Sequence, residues 1–446
     1  MTERYFGTDG VRGRVGQSPM TVDFALRLAG AAARVLAPGG GRVLIGKDTR
    51  LSGYMFESAL EAGFVAAGVD VMLIGPLPTP GIAYMTQRLG CNFGVVISAS
   101  HNPYQDNGIK FFDATGSKLS DEVERQIEDR IDGPVITQQS QHLGRATRID
   151  RSRTQYQDFC ASTIPAGMDL RGLKIVIDCA NGAGYKVAPR VLADLGAEIV
   201  PIGCSPNGRN INDSCGSTAP ELLQLTVPGV RAHVGLALDG DGDRVVMIDA
   251  LGRIVDGDQL LFILATARHA AGLLKGPVVG TVMSNLGLEQ SLAERGIEFR
   301  RAQVGDRYVL AVLNEAGGTL GGETSGHILC LDKTTTGDGL VSALQVLAIM
   351  QQSGAALAEL AAPMPKYPQV LLNVRVARRF DPMTEPRVIA AASSVERRFK
   401  GRGRIVLRAS GTEPVIRVMV EGYDAALVKT GAREIAAVVE AAAQDQ

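Results

Sequence analysis

The sequence predicts an α/β protein with three related α/β domains followed by a smaller α+β domain. Three observations lead to this prediction. The chain has 446 residues, which is enough for about three domains. A pattern of strand, polar or glycine turn, helix, glycine and strand occurs three times. After the prolines at 363, 365 and 368 the pattern changes, which indicates a linker and a different type of domain.

The three copies of this pattern have the same order of elements. The first begins with V-L-I-G at Val43 and continues through a predicted helix over 52–67. The second begins with L-K-I-V-I-D at Leu173, and the third begins with V-V-G-T-V-M at Val278. A strand-helix-strand unit needs a crossover connection, so the neighbouring strands are expected to be mostly parallel.

The C-terminal part alternates strands and helices differently. Strands are predicted over 370–376, 405–407 and 416–420, with helices over about 384–398 and from Ala425 onward. We therefore predict four domains, which we bound at 1–150, 151–251, 252–367 and 368–446.

The composition excludes several classes of protein. The chain is 45% hydrophobic and 21% charged with a net charge of -1, so it lacks the basic excess of a nucleic-acid or anionic-membrane protein. Its six cysteines form no C-x-x-C pair and suggest neither a zinc site nor a disulfide framework. No signal peptide and no apolar run of membrane length is visible, so we expect a cytoplasmic protein with buried, reduced thiols.

One serine is the centre of the functional prediction. Residues 94–97 read as a buried strand, and the polar run that follows places Ser100 on a loop at the strand's carboxyl end. The stretch lacks G-x-S-x-G, and His101 is adjacent in sequence and poorly placed to act as its base. Such a serine can still act if it is phosphorylated and donates its phosphoryl group. An ordinary surface loop is the alternative.

A second stretch, D-G-D-G-D-R over 239–244, places Asp239, Asp241 and Asp243 between two apolar strands. Glycines between the acids allow the backbone to bend so that the three carboxylates converge, and converging carboxylates repel unless a cation lies among them. All-oxygen ligands favour Mg²⁺, Mn²⁺ or Ca²⁺, although an acidic hairpin turn remains the alternative.

Charge balance then requires nearby cations. A phosphoserine carries about -1.5 to -2 charges, so with three carboxylates and one divalent cation roughly three negative charges remain. Arg12, Lys110 and Arg244 are the candidate basic residues.

Two further loops have polar side chains that suit a phosphorylated sugar. G-G-E-T-S-G-H over 321–327 carries a carboxylate, hydroxyls and an imidazole, and R-A-S-G-T-E-P-V-I-R over 408–417 combines two arginines with a nest of backbone amides. A glycine-rich turn and a tight turn between strands are the respective alternatives.

Two other patterns resemble nucleotide-binding motifs but are decoys. G-x-x-x-x-G-K at 41–47 reads as a strand, and the glycine pattern from Gly182 lacks its last glycine.

These four stretches, in this order, resemble the α-D-phosphohexomutases, and the resemblance covers essentially the whole chain. Within that family, R-Y-F-G-T-D-G-V-R-G, T-V-M-S-N-L-G and V-G-D-R-Y-V are most similar to the bacterial branch that acts on glucosamine phosphates. Thr324 departs from that branch, which more often has glutamine at this position. The resemblance implies mixed sheets in the α/β domains and four domains around a central cleft.

The resemblance also implies a mechanism. Phosphorylated Ser100 would donate its phosphoryl group to glucosamine 6-phosphate, and the bound 1,6-bisphosphate would turn end for end before returning a phosphoryl group and leaving as glucosamine 1-phosphate, for UDP-N-acetylglucosamine synthesis. One Mg²⁺ per subunit would be held by Ser100, Asp239, Asp241 and Asp243, and a sugar 1,6-bisphosphate would be the activator. The remaining roles implied are acid–base and catalytic work by Lys110, Arg12 and His327, and substrate binding by Glu323, Ser325, Arg244, Arg408, Ser410, Gly411, Thr412 and Arg417.

Three alternatives stay open at this point. The same machinery could act on glucose or mannose phosphates, the chain could be a nucleotide-dependent sugar kinase, or it could be a sugar-phosphate sensor without catalysis. The intact Ser100 and three aspartates argue against a sensor, and the decoy at 41–47 argues against a kinase. The expected partner is a small phosphosugar, and neither nucleic acid nor a membrane is expected to bind. The sequence does not determine the oligomeric state, for which a homodimer is the form considered.

Overall fold

Four separate β-sheets organise the chain. The computed structural model describes residues 5–7, 9–135, 137–377, 380–409 and 414–444. Three of the sheets are mixed and the fourth is antiparallel. This arrangement confirms the predicted fold class of three α/β units and a smaller α+β unit, whereas the exact domain boundaries remain predictions.

The first sheet has six strands in the order β1-β5-β4-β2-β3-β6. The central strands are parallel, and the edge formed by β5 and β1 is antiparallel. Its elements are β1 (Val11–Arg14), α1 (Val22–Leu36), β2 (Gly41–Lys47), α2 (Ser52–Ala66), β3 (Val69–Pro76), α3 (Thr79–Arg88), β4 (Phe93–Ile97), β5 (Asp106–Asp113), α4 (Asp121–Ile131) and β6 (Ala146–Arg148). The G-x-x-x-x-G-K decoy is strand β2, as the sequence predicted.

The second sheet has five strands in the order β11-β10-β9-β7-β8. Strands β7, β8 and β9 are parallel neighbours, and β10 returns antiparallel to β9. Its elements are α5 (Ser152–Ser162), β7 (Lys174–Asp178), α6 (Ala188–Asp194), β8 (Glu198–Ile202), α7 (Glu221–Gly229), β9 (Val234–Leu238), β10 (Val245–Asp249) and β11 (Ile254–Val255).

The third sheet has four strands in the order β13-β12-β14-β15. Its last two strands form an antiparallel hairpin. Its elements are α8 (Gly257–Ala270), β12 (Val278–Thr281), α9 (Leu286–Ala293), β13 (Phe299–Ala302), α10 (Asp306–Ala316), β14 (Leu320–Gly322), β15 (Ile328–Cys330), α11 (Gly339–Ser353) and α12 (Leu357–Ala361).

The fourth sheet has three antiparallel strands in the order β16-β18-β17, covered by two helices. Its elements are β16 (Gln369–Arg375), α13 (Pro386–Arg398), β17 (Gly403–Ala409), β18 (Val415–Gly422) and α14 (Ala425–Gln444). These bounds agree with the predicted strands and helices to within a few residues.

The hydrophobic cores show which units are joined. One buried cluster is continuous from α3 through the second sheet to α8 and α11, so the first three units share a core. The cluster of the fourth unit contains residues between 374 and 442. The fourth unit therefore has a core of its own, and hydrogen bonds such as the one from the Leu286 N–H to Glu421 connect it to the third unit. Over the described ranges, none of the helices combines the length and the apolar character needed to cross a membrane.

Candidate active site

Loops from the first three sheets meet at one place. The loop after β4 carries Ser100, the loop between β9 and β10 carries the three aspartates, and the hairpin between β14 and β15 carries the predicted sugar loop. The serine and acid loops follow the carboxyl ends of β4 and β9, which is where open α/β sheets usually form ligand sites.

Ser100 is buried and held in an unusual backbone conformation. Its φ is 51°, in the left-handed region that non-glycine residues seldom occupy, and its side chain is almost wholly enclosed. The backbone N–H of Ser100 donates to Ser98 Oγ at 3.0 Å, and its own Oγ donates to Asp239 Oδ2 at 2.5 Å. His101 Nδ1 is 3.5 Å from Oγ, too far for a good O–H···N bond. The serine therefore faces the acids rather than a histidine base.

Arg50, which the sequence analysis missed, supports the serine loop from beneath. This fully buried guanidinium donates to the backbone oxygens of Ser100 at 2.9 Å and Asn102 at 2.8 Å, and its Nε donates to Asp48 at 2.8 Å. Asn212, from the second sheet's side, donates to the same Ser100 oxygen at 2.9 Å. The loop conformation is thus fixed by charge-assisted bonds from an arginine 50 positions earlier.

Replacing Arg50 with methionine is expected to lower the free energy of unfolding by about 3–5 kcal/mol, because the Asp48 carboxylate would be left buried without its partner. Urea unfolding measures the change. The matched control is Arg190→Met, which breaks an exposed pair with Asp194 and should cost less than about 1 kcal/mol. Equal losses in the two variants would contradict the supporting role of Arg50.

The three aspartates converge as the sequence predicted. Asp239, Asp241 and Asp243 are buried, and one oxygen of each lies within 4.8 Å of the others. Gly240 allows the serine loop to pack closely on the aspartate loop, because a Cβ there would be 2.6 Å from the Ser100 backbone oxygen. Burial, together with the other two carboxylates, raises the pKa of Asp239 well above its usual range. Asp241 Oδ1 and Asp243 Oδ1 are buried without a hydrogen-bond partner, so the cluster fits a hard divalent cation.

Basic residues surround the acids in a closed arrangement of alternating charge. Lys110 Nζ is 2.8 Å from Asp241, 2.9 Å from Asp9 and 3.8 Å from Asp243. Lys118 contacts Asp9 at 2.6 Å and also pairs with Asp306, and His327 lies 3.3 Å from Asp306 and 3.6 Å from Asp243. We call this set the charged ring; its members are Asp9, Lys110, Asp243, His327, Asp306 and Lys118.

The ring changes the protonation of its members. Burial lowers the pKa of His327, but the carboxylates of Asp243 and Asp306 outweigh it and raise the pKa to about 9. Lys110 is also buried, yet Asp241 and Asp9 raise its pKa above the usual value. In contrast, burial and the nearby Arg244 and Arg12 lower the pKa of His101 to about 4, so this imidazole is neutral. Lys110 and His327 are therefore both positively charged at neutral pH, beside Asp241 and Asp243 respectively.

Arg12 and Arg244 flank the same site. Arg12 pairs with Asp9, and its buried Nε has no hydrogen-bond partner. Arg244 Nε is 3.7 Å from Asp243 Oδ1 and is likewise without a hydrogen bond. Burial lowers the pKa of Arg244, but the attraction of Asp243 and Asp239 outweighs it and raises the pKa above its usual value. Both guanidiniums retain donors for an additional anion, as charge balance required.

The predicted sugar loop is the hairpin turn that connects β14 to β15. Glu323 Oε1 accepts from the Gly305 N–H at 2.9 Å, and Ser325 is exposed. The Val245 N–H donates to Gly326 O at 3.1 Å, directly after Arg244. The loop is therefore attached to the strand that follows the three aspartates.

The phosphate-clamp residues lie apart from these loops. Arg408 and Arg417 are cross-strand neighbours on β17 and β18, and both are half-buried. Burial and the Arg417 charge lower the pKa of Arg408, whose Nε has no partner. Such a pair of guanidiniums suits an anion. Among the described residues, no hydrogen bond or ion pair joins the two arginines to the Ser100 region; Ser410, Gly411 and Thr412 lie outside the described residues.

Comparison with known proteins decides the family. Models of phosphoglucomutase/phosphomannomutase alpha/beta/alpha domains I, II and III match residues 3–134, 155–252 and 256–367, and the C-terminal domain model matches 371–438. The chain belongs to the phosphoglucomutase/phosphomannomutase family. The resemblance drawn from the four sequence motifs is confirmed, and the matches follow the order of the four sheets.

Three individual proteins illustrate the similarity, one by its sequence and two by their solved structures. The phosphoglucosamine mutase of Methylococcus capsulatus is 57% identical over 441 residues, which cover 98% of this chain and 99% of the relative. A phosphoglucomutase/phosphomannomutase family protein from Burkholderia thailandensis has a TM-score of 0.81 at 25% identity, covering 99% of this chain and 98% of that one. The Aspergillus fumigatus N-acetylphosphoglucosamine mutase, solved with GlcNAc-6P and magnesium, has a TM-score of 0.71 at 20% identity, covering 98% and 96% of the two chains.

Proposed function

We propose that the chain is a phosphoglucosamine mutase, which interconverts glucosamine 6-phosphate and glucosamine 1-phosphate through a phosphorylated Ser100. The observation that carries the proposal is the buried Ser100 hydroxyl bonded to the three-aspartate cluster. The 57% identity to a phosphoglucosamine mutase over nearly the whole chain supports this choice of substrate. Glucosamine 1-phosphate is the form that UDP-N-acetylglucosamine synthesis uses.

The first step transfers a phosphoryl group from Ser100. The bond between Ser100 Oγ and phosphorus breaks, a bond from phosphorus to O1 of glucosamine 6-phosphate forms, and the proton lost from O1 is matched by one that Ser100 Oγ gains, so the serine hydroxyl is restored. We assign this proton relay to Lys110 and His327, which are protonated beside the acids: one of them donates a proton to Ser100 Oγ and regains one from O1. We assign to Arg12 and Arg244 the neutralisation of phosphate charge. When bound, Mg²⁺ would supply electrostatic stabilisation of the transferring group, with Ser100, Asp239, Asp241 and Asp243 as its ligands.

The second step requires that the sugar 1,6-bisphosphate turn over while bound. Its 6-phosphoryl group is then returned to Ser100 and glucosamine 1-phosphate leaves. Glu323 and Ser325 are the residues that we assign to the sugar hydroxyls. Arg408 and Arg417, with Ser410, Gly411 and Thr412, are assigned to whichever phosphate is not reacting. Added sugar bisphosphate acts as the activator by phosphorylating Ser100.

Phosphorus NMR tests the substrate. The protein is incubated with Mg²⁺ and a trace of sugar bisphosphate, together with glucosamine 6-phosphate, glucose 6-phosphate or mannose 6-phosphate. We expect the 1-phosphate to appear fastest from glucosamine 6-phosphate. Faster conversion of glucose or mannose phosphate would overturn the choice of substrate while retaining the serine mechanism, and release of inorganic phosphate alone would overturn the mutase assignment.

A further inference from the structure

One buried carboxylate outside the reacting centre connects two regions that a sugar bisphosphate must contact together. Asp258 is the second residue of α8 and is 1% exposed. Its Oδ2 accepts from the Thr324 hydroxyl at 2.8 Å and from the Asn285 backbone N–H at 2.9 Å. These two donors belong to separate loops of the third sheet, so a single oxygen joins them.

On one side of Asp258 lies the sugar loop. Thr324 stands between Glu323 and Ser325, and its hydroxyl is committed to Asp258. The Gly257 N–H also donates to the Thr324 backbone oxygen at 3.1 Å. The start of α8 therefore holds the middle of the sugar loop through both its backbone and its side chain.

On the other side of Asp258 lies the contact between the third and fourth sheets, formed by the Asn285 loop. The Asn285 side chain donates to Tyr367 O at 3.0 Å and accepts from Tyr367 N–H at 3.0 Å, in the linker before β16. The next N–H, of Leu286, donates at 2.9 Å to Glu421, which is fully buried on β18. Glu421 in turn accepts from Arg404 at 2.7 Å. The Asn285 loop, which Asp258 contacts, is thus also the loop that forms hydrogen bonds to the fourth sheet and its linker.

The second oxygen of Asp258 adds to this observation. Oδ1 is buried and has no hydrogen-bond partner. Burial and the neighbouring Asp256 raise the pKa of Asp258 to about 6, which shows that its environment penalises the charge. The hydrogen bonds from Thr324 and Asn285 to Oδ2 are therefore the contacts through which this carboxylate connects the two loops.

We infer that Asp258, through Thr324 and Asn285, is a positioning residue that fixes the sugar loop relative to the fourth sheet. Because the Asn285 loop contacts both the linker before β16 and Glu421 of β18, this also orients the sheet that carries Arg408 and Arg417 relative to the sugar loop. This inference rests on the proposed function, because it assigns the two regions to opposite parts of one ligand. The same inference assigns a role to Thr324, the residue at which the chain departs from the glucosamine branch, because its hydroxyl binds Asp258.

The test replaces the Thr324 hydroxyl with a methyl group of similar shape. In Thr324→Val, the sugar bisphosphate concentration that gives half-maximal activity should rise about tenfold, because one bond to a carboxylate is lost. Thr324→Ser should restore the wild-type value. Thr266→Val, on the helix that carries Asp258, loses only two hydrogen bonds within α8 and should match the wild type. A bisphosphate requirement in Thr324→Val equal to that of the wild type would overturn the inference.

Two further measurements separate positioning from a general loss of structure. If Thr324 acts through Asp258, adding Thr324→Val to Asp258→Ala, which removes both acceptor oxygens, should produce no further change, whereas additive effects would contradict the link. Calorimetry of sugar bisphosphate binding, with Ser100→Ala in every variant to prevent transfer, should show the same tenfold weakening. If the wild type binds the bisphosphate but converts no hexose phosphate, the proposed function fails, and the binding comparison still decides the role of Asp258.

Discussion

Replacing Ser100 with alanine is expected to reduce mutase turnover at least about 10³-fold, because the group that carries the phosphoryl is removed. The Ser100 hydroxyl has no other polar contact than Asp239 and the distant His101 nitrogen among the described residues. Its loss therefore removes the donor without removing a structural bond to the backbone. Coupled assay of glucosamine 1-phosphate formation measures the effect, and binding of glucosamine 6-phosphate should be retained.

The control for this prediction is Ser58→Ala. Ser58 lies on α2, and its hydroxyl donates to the Tyr54 backbone oxygen within the same helix. It should keep full turnover. Near-normal activity in Ser100→Ala would show that phosphoryl transfer does not pass through this serine, and the mechanism proposed above would have to be abandoned.

Removal of divalent cations with EDTA is expected to lower turnover by about 10³-fold or more, since a cation at such a site contributes several kcal/mol of charge stabilisation. Addition of Mg²⁺ in excess of EDTA should restore it. The physical reason is the buried cluster of three carboxylates, in which one oxygen of Asp241 and one of Asp243 have no hydrogen-bond partner.

Substitution of the aspartates distinguishes a specific site from general dependence on ions. In Asp241→Asn, calorimetric titration should show Mg²⁺ binding that is strongly weakened. Asp249→Asn alters another buried acid of the same sheet, whose oxygens bind the Leu251 and Arg253 N–H groups instead, and should leave Mg²⁺ affinity unchanged. Full activity of the wild type in chelator would remove the metal role from the three aspartates.

The sequence predicted the parts of the site that are local. The apolar, β-branched run over 94–97 placed Ser100 on the loop after β4, and glycines between acids indicated the convergence of Asp239, Asp241 and Asp243. These features depend on a few consecutive residues, for which backbone geometry and side-chain type are sufficient. The two arginines of the predicted clamp, Arg408 and Arg417, are cross-strand neighbours on β17 and β18, a pairing that the sequence did not specify.

The sequence could not predict contacts that depend on how distant segments pack. Asp9, Lys118 and Asp306 are separated by up to 297 positions, from residue 9 to residue 306. They meet because residues of the first sheet's unit and the third sheet's unit come into contact at the site. Arg50 likewise follows a strand end with no motif of its own. One signal was available, since Asp9 and Asp306 stand inside the quoted F-G-T-D-G-V-R-G and V-G-D-R-Y-V stretches.

Gly182 illustrates a pattern whose cause was found only in the structure. Its glycine spacing resembles a nucleotide-binding turn, which the missing last glycine argued against. In the fold, a Cβ at Gly182 would lie 2.3 Å from the Gly240 backbone oxygen, and the Ala183 N–H donates to that oxygen at 2.8 Å. The glycine is needed because this turn packs directly beneath the loop of the three aspartates.

The central claim, that Ser100 is the phosphoryl donor, is tested most directly in a single turnover. The protein is phosphorylated with radiolabelled sugar bisphosphate, freed of small molecules, and mixed with unlabelled glucosamine 6-phosphate and Mg²⁺. We predict that the label leaves Ser100 and appears first in glucosamine 1,6-bisphosphate, then in the 1-phosphate. Label that stays on the protein, or that appears only as inorganic phosphate, would contradict the account.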